Sequence, residues 1–168
     1  MESIRTAMET ACAHLAEHPD AAISTDAAAT AVGEGGLRFR VEGPKGAVTT
    51  DMAASVGGGA SAPTPAWLMR AALASCDATL IAMEAARDGV ELTDLKVTVD
   101  SESDDRGILG LDPAVPAGAL SVRVVADVRG AGVTAAVKED LISWAVEHCP
   151  VLDTVRRAIP IEVVTADA

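Results

Sequence analysis

Aromatic side chains are nearly missing from this sequence, which holds one phenylalanine, two tryptophans and no tyrosine. Basic residues are outnumbered as well, 13 against 25 acidic, for a formal net charge of −12. A nucleic-acid interface needs clustered cations for phosphates and, for single strands, flat rings for bases. Neither is gathered in one place, so nucleic acid is excluded as a partner, and the acidity is read as a source of solubility. The longest uncharged stretch, Met52 to Met69, is interrupted by glycines, serines and prolines. That is no membrane span of about 20 apolar residues, and no membrane partner is expected. The opening "MESIRTAMETACAHLAEHPD" lacks a basic flank ahead of an apolar run, so no targeting segment is expected. Three cysteines, an odd number, do not form a secreted disulfide framework and fit a reducing, cytoplasmic setting.

Several chemical motifs are lacking too. The sequence has no C-x-x-C, H-E-x-x-H or G-x-S-x-G. The glycine-rich "GEGGLR" and "VGGGASAP" lack the lysine and hydroxyl residue of a phosphate loop and the strand-to-helix setting of a dinucleotide fingerprint. No cofactor is expected.

What is present suits one compact domain. The 168 residues are 49% hydrophobic, and a chain near 150 residues buries about 70% of its unfolded surface, enough for a core without disulfides. Ile4, Met8, Ala11 and Leu15 repeat at helical spacing ahead of Pro19, which predicts a leading helix packed on the rest. An Ala/Gly-rich lead-in follows, so residues 1–34 are set apart from a single domain over 35–168. "LRFRVEG" alternates Leu37, Phe39 and Val41 with charged residues, and "GPKG" turns it into a second strand over 47–52, a hairpin.

Thr64 and Pro65 then supply a cap and a first turn for a helix reaching about Asp88, with Gly89 as its stop. Leu68, Met69, Ala72, Leu73, Cys76, Leu80, Ile81 and Met83 cover most of its surface, leaving Arg70, Asp77 and Glu84 as a narrow polar strip. A helix apolar nearly all round lies inside a fold or against another subunit, so Cys76 is expected in the interior. Two alternating strands, around Leu95–Val99 and Leu120–Val128, precede a second helix over 134–148 ended by Pro150. The tail reads as a helical turn and a last strand with Ile159, Ile161 and Val163 inward. Strands and helices fall in the order ββαββαβ after the leading helix, an α+β class.

Chemistry concentrates on two thiols. Cys76 lies inside the first long helix, and Cys149, extended by the following proline, ends the second. They meet if the helices pack, although a free cysteine also serves as a small buried hydrophobe. In "EHCPVLDT", His148, Cys149 and Asp153 place a base, a thiol and an acid within six residues. Zinc is not expected there, because adjacent His148 and Cys149 do not match the usual spacing of about two to four between paired ligands. Cys12, His14 and His18 read as packed or solvated residues.

The order of "GGGASAPTPAWLMRAALASC", "AARDGVELTDLKVTVDSES", "AVEHCPVLDT" and "IPIEVV" resembles the OsmC/Ohr family, over about residues 35–165. The resemblance implies an OsmC-like fold and an intertwined homodimer, its long central helices wrapped by antiparallel-rich sheets. It implies that Cys76 is the peroxidatic thiol of an organic hydroperoxide reductase and Cys149 the resolving one, with an external dithiol reductant and no cofactor. Arg38 is the candidate activating cation, Arg40 being the other arginine of the hairpin, and His148 is a candidate for tuning Cys149. Active family members carry a glutamate after the proline that opens the cysteine helix; Ala66 stands there, which counts against high activity and brings the pattern closer to the OsmC-like branch. The expected function is therefore a thiol peroxidase of the oxidative stress response. The alternative is a non-catalytic OsmC-like protein that binds an apolar small molecule or senses redox state.

Overall fold

The computed structural model describes residues 2–165. They divide into two compact units, Glu2–Ala71 and Ala72 onward.

The first unit starts with α1, Glu2–Glu17, followed by a short 3₁₀ turn, Pro19–Ala22. The expected packing of α1 is not observed, since none of its residues is buried. Its apolar stripe is only four residues long, and Ile4 and Leu15 remain exposed. The hairpin forms as read: β2, Arg38–Gly43, pairs antiparallel with β3, Gly46–Thr50, and Gly43 faces Gly46 across the turn. A strand not anticipated, β1 (Thr30–Gly35), adds to the other edge of β2, giving the order β1-β2-β3. Val41 is half-buried, whereas Leu37 and Phe39 of the predicted inward set are exposed.

After β3 the chain folds back on itself. Asp51 N donates to Pro63 O at 3.1 Å, and Ala60 N to Met52 O at 3.0 Å. A Cβ at Gly58 would collide with the Met52 carbonyl, so this close approach admits only glycine.

Helix α2, Pro65–Arg87, starts in the first unit and continues through the second. Its first turn is capped by Thr64, whose Oγ1 accepts from Trp67 N at 3.2 Å. Gly89, at φ +70°, ends it. By length and composition α2 would also suit a membrane span; here Leu73, Asp77, Ile81, Glu84, Ala85 and Ala86 are buried within the fold.

In the second unit β4, Glu91–Ser103, and β5, Ala119–Ala131, form a long antiparallel pair. The connection between them includes a helical turn, α3, Asp105–Ile108. Helix α4, Ala135–His148, is capped by Thr134, and α5 follows over Pro150–Arg156. Ile81, Ala85, Val128, Leu141 and Ala145 form the core, drawn from α2, β5 and α4. The elements confirm the α+β class, with one correction at the C-terminal end. Residues 157–165 form no strand, and Ile161 and Val163 are 81% and 89% exposed. Alternating apolar residues become a strand only where a sheet edge accepts their backbone hydrogen bonds.

Candidate functional site

Cys149 is held at the α4–α5 junction by the local sequence. Pro150 keeps it extended, with φ −72° and ψ 109°, so that it leaves α4 and caps α5. Its Sγ accepts from Leu152 N at 3.4 Å, and the residue is 0% exposed. Cys76, in the middle of α2, is half-buried rather than interior. Asp77 and Cys76 both act on the Cys149 thiol. Burial chiefly, and then Asp77 and Cys76, push that thiol up to about 12, while the Leu152 amide works the other way.

The strip read as polar is in fact the buried face. Asp77 is 1% exposed and Glu84 4%, at the spacing that places them with Leu73 and Ile81. Neither Asp77 oxygen has a hydrogen-bond partner, nor has Glu84 Oε2. Asp77 thus acts on Cys149 through proximity without making a hydrogen bond of good geometry. Glu84 pairs with Arg87 through its other oxygen, and Arg87 lies 4.9 Å over the Trp144 ring.

Burial raises the Glu84 carboxyl above the ordinary range, partly opposed by Arg87. The folded state then holds its proton more tightly than the unfolded chain. Its contribution to stability is full below the ordinary glutamate value, about 4.3, and declines as pH rises through the raised one. Glu84→Gln is expected to flatten that decline, as read from urea unfolding between about pH 4 and 8.

His148 is engaged elsewhere than at the thiol. Its Nδ1 donates to Trp144 O at 2.8 Å, and its ring stacks on Trp144 at 4.3 Å. Asp153 pairs with Arg157, and Cys12 is exposed on α1. Among the described residues no three His, Cys, Asp or Glu side chains are grouped to hold a metal.

Arg38, in the first unit, is tied down on both sides. Its Nε donates to Glu34 Oε2 at 2.9 Å and a terminal nitrogen to Ser61 Oγ at 2.6 Å. Ser61 in turn donates from Oγ and from N to Asp51 Oδ2, at 2.7 and 3.0 Å, while Met52 N and Gly59 N donate to Asp51 Oδ1. Arg40 pairs with Glu42 instead, and Ala66 is exposed. Glu34, Asp51 and Ser61 were not singled out from sequence, and Asp77 was named only as part of the polar strip of α2.

Donors from Ser61 foremost, then Met52 and Gly59, lower the Asp51 carboxyl to about 2. A lowered acid stabilises the fold above its ordinary value, about 3.9, and loses that contribution as pH falls through the lowered one. Asp51→Asn is expected to lower the melting temperature at neutral pH, with the difference from the parent closing as pH approaches about 2.

Comparison with known proteins gives a consistent placement. A family model described as OsmC-like protein matches residues 57–164. No curated protein matches the chain at a significant level. Among solved structures, an organic hydroperoxide resistance protein OsmC from Legionella pneumophila superposes with a TM-score of 0.63 at 23% identity, over 80% of this chain and 91% of that one. An organic hydroperoxide resistance protein from Elizabethkingia anophelis gives 0.63 at 19% identity, over 81% and 91%. An OsmC-like protein of unknown function from Vibrio cholerae gives 0.66 at 13% identity, over 78% and 94%. At such identities the likeness is one of fold.

Proposed function

The chain belongs to the OsmC-like protein family, and from that premise we propose that it is a thiol peroxidase reducing organic hydroperoxides to alcohols. The observation that carries the reading is a free, half-buried Cys76 that acts on the fully buried thiol of Cys149. The Cys76 thiolate attacks the terminal peroxide oxygen, the O–O bond breaks, and the alkoxide leaves as alcohol after taking up a proton. Cys76 is left as a sulfenic acid. Attack by Cys149 forms the disulfide and releases water, and an external dithiol returns both thiols by exchange.

By the family resemblance Arg38 is assigned as the cation that favours the Cys76 thiolate, and within its own unit Glu34 and Ser61 hold its guanidinium. The working form is a homodimer in the cytoplasm. Trp67 on α2, Leu120, Val122 and Val125 on β5, and Ile161 in the C-terminal segment are exposed apolar side chains, which supports coverage by a second copy.

The test is hydroperoxide consumption with dithiothreitol as reductant. Cumene hydroperoxide is expected to be consumed with a kcat/KM about tenfold or more above that for hydrogen peroxide, since apolar surroundings favour an apolar substrate. Consumption no faster than by dithiothreitol alone overturns the proposal. A second reading, redox sensing, is favoured by the firmly protonated Cys149. It gives one oxidation to the disulfide without sustained turnover.

A further inference from the structure

Glu84 costs the fold more than an apolar residue in its place would. It is 4% exposed, one of its oxygens has no hydrogen-bond partner, and the other is paired with Arg87. A buried ion pair adds little stability over well-packed apolar side chains, because the charges give up their hydration. What such a pair does supply is direction. Glu84 and Arg87 stand three apart on the last turns of α2, so the buried carboxylate aims the half-exposed guanidinium from its own helix.

The guanidinium meets the end of α4. The guanidinium carbon of Arg87 lies 4.9 Å from the centre of the Trp144 ring, within the range of a cation–π contact. Trp144 and His148, four apart, share a face of α4, and their rings stack at 4.3 Å with 15° between the planes. His148 Nδ1 also bonds back to Trp144 O at 2.8 Å. Cys149 is the next residue. Its other side is held by α5, where its Sγ accepts from Leu152 N at 3.4 Å and its O from Asp153 N at 2.9 Å. Ala85 and Ala145 share the core of the same two helices, but small side chains bring helices together without fixing the rotation of a last turn. A guanidinium seated on a flat ring does fix it.

We propose that Arg87, aimed by Glu84, is a positioning residue for Cys149: by holding Trp144, and His148 with it, Arg87 fixes the last turn of α4 and so the approach of the Cys149 sulfur to oxidised Cys76. The role rests on the peroxidase reading above. In the step it serves, the Cys149 sulfur forms the S–S bond to Cys76 and the S–O bond of the sulfenic acid breaks. Hydroxide leaves as water with the proton that Cys149 gives up, the two electrons having been removed from Cys76 by the organic hydroperoxide. Arg87 takes no part in the bond changes.

The experiment removes the peroxide. In a Cys12→Ser background, the aromatic disulfide dithiobis-nitrobenzoate loads Cys76 and releases one coloured thiol at a rate set by reagent concentration. Attack by Cys149 then releases a second at a rate independent of it. Arg87→Ala is expected to slow the second release about tenfold or more while the first stays within about twofold of the parent. Arg87→Lys keeps the charge without the planar fork and is expected to recover part of the lost rate. Trp144→Leu is expected to match Arg87→Ala, and the double variant to be no slower than either, because all three lose one and the same contact. A second release from Arg87→Ala as fast as from the parent overturns the proposal. Equal slowing of both releases also overturns it, since that is a general loosening of the fold. If Arg87→Ala does not fold, Arg87→Lys decides: a second release about threefold or more slower with the first unchanged supports the proposal, and parent rates overturn it. A parent that releases a single coloured thiol overturns it outright. The peroxidase reading fails separately. If the parent ignores cumene hydroperoxide while its second release depends on Arg87, that reading falls and the role of Arg87 in disulfide formation stands; if the parent consumes the hydroperoxide and Arg87→Ala keeps the second release, the reverse holds.

Discussion

Cys76→Ser is expected to lose hydroperoxide reduction by about 10³-fold or more, to the level of buffer and reductant alone. A serine hydroxyl matches the shape of the thiol, but at neutral pH it offers neither an anion nor a sulfur that accepts oxygen. Cys149→Ser is expected to behave differently. It keeps the first oxidation, because Cys76 is the half-buried thiol and Cys149 the buried one, and it stops at the sulfenic acid, which dimedone traps. Turnover then depends on direct reduction by the added dithiol and falls by about 10- to 100-fold. The asymmetry separates a reacting thiol from a resolving one, which equal loss in both variants would not. Cys12→Ser, on the exposed face of α1, is expected to leave the rate unchanged.

Arg38→Ala is expected to lower the rate of Cys76 oxidation by about 10²-fold, the scale on which a neighbouring cation activates a thiol. Alkylation of Cys76 by iodoacetamide is expected to slow to a similar degree. Glu34→Gln and Ser61→Ala remove one anchor each from a guanidinium that keeps the other, and about three- to tenfold losses are expected. Arg38→Lys keeps the charge without the fork that reaches Glu34 and Ser61 together, so it is expected to fall between the parent and alanine. An unchanged alkylation rate in Arg38→Ala would assign the arginine to the loop it braces through Ser61 and Asp51.

The elements that sequence disclosed best were those whose signals are local. The hairpin of β2 and β3 is a period of two interrupted by "GPKG", and α2 runs from its Thr64 cap to Gly89 as its residues dictate. Cys149 leaves α4 where Pro150 requires it to. What sequence misplaced depends on distant partners. β1 has few strand-forming residues and exists because β2 offers an edge, while residues 157–165 have the alternation without the edge. Asp77 and Glu84 read as a narrow polar strip because charge ordinarily marks the side of a helix away from its apolar face. Here that side meets the core, and both carboxylates are buried. The Arg38 network joins residues 34, 38, 51 and 61, contacts that no periodicity announces.

The most direct measurement is the free-thiol count and intact mass of the reduced protein after one equivalent of cumene hydroperoxide. Two thiols are expected to disappear with a mass loss of two hydrogens, the Cys76–Cys149 disulfide mapping by peptide analysis, and Cys76→Ser is expected to keep all of its thiols. A parent that retains its three thiols through a long incubation would contradict the thiol-peroxidase account and leave the fold with a binding role.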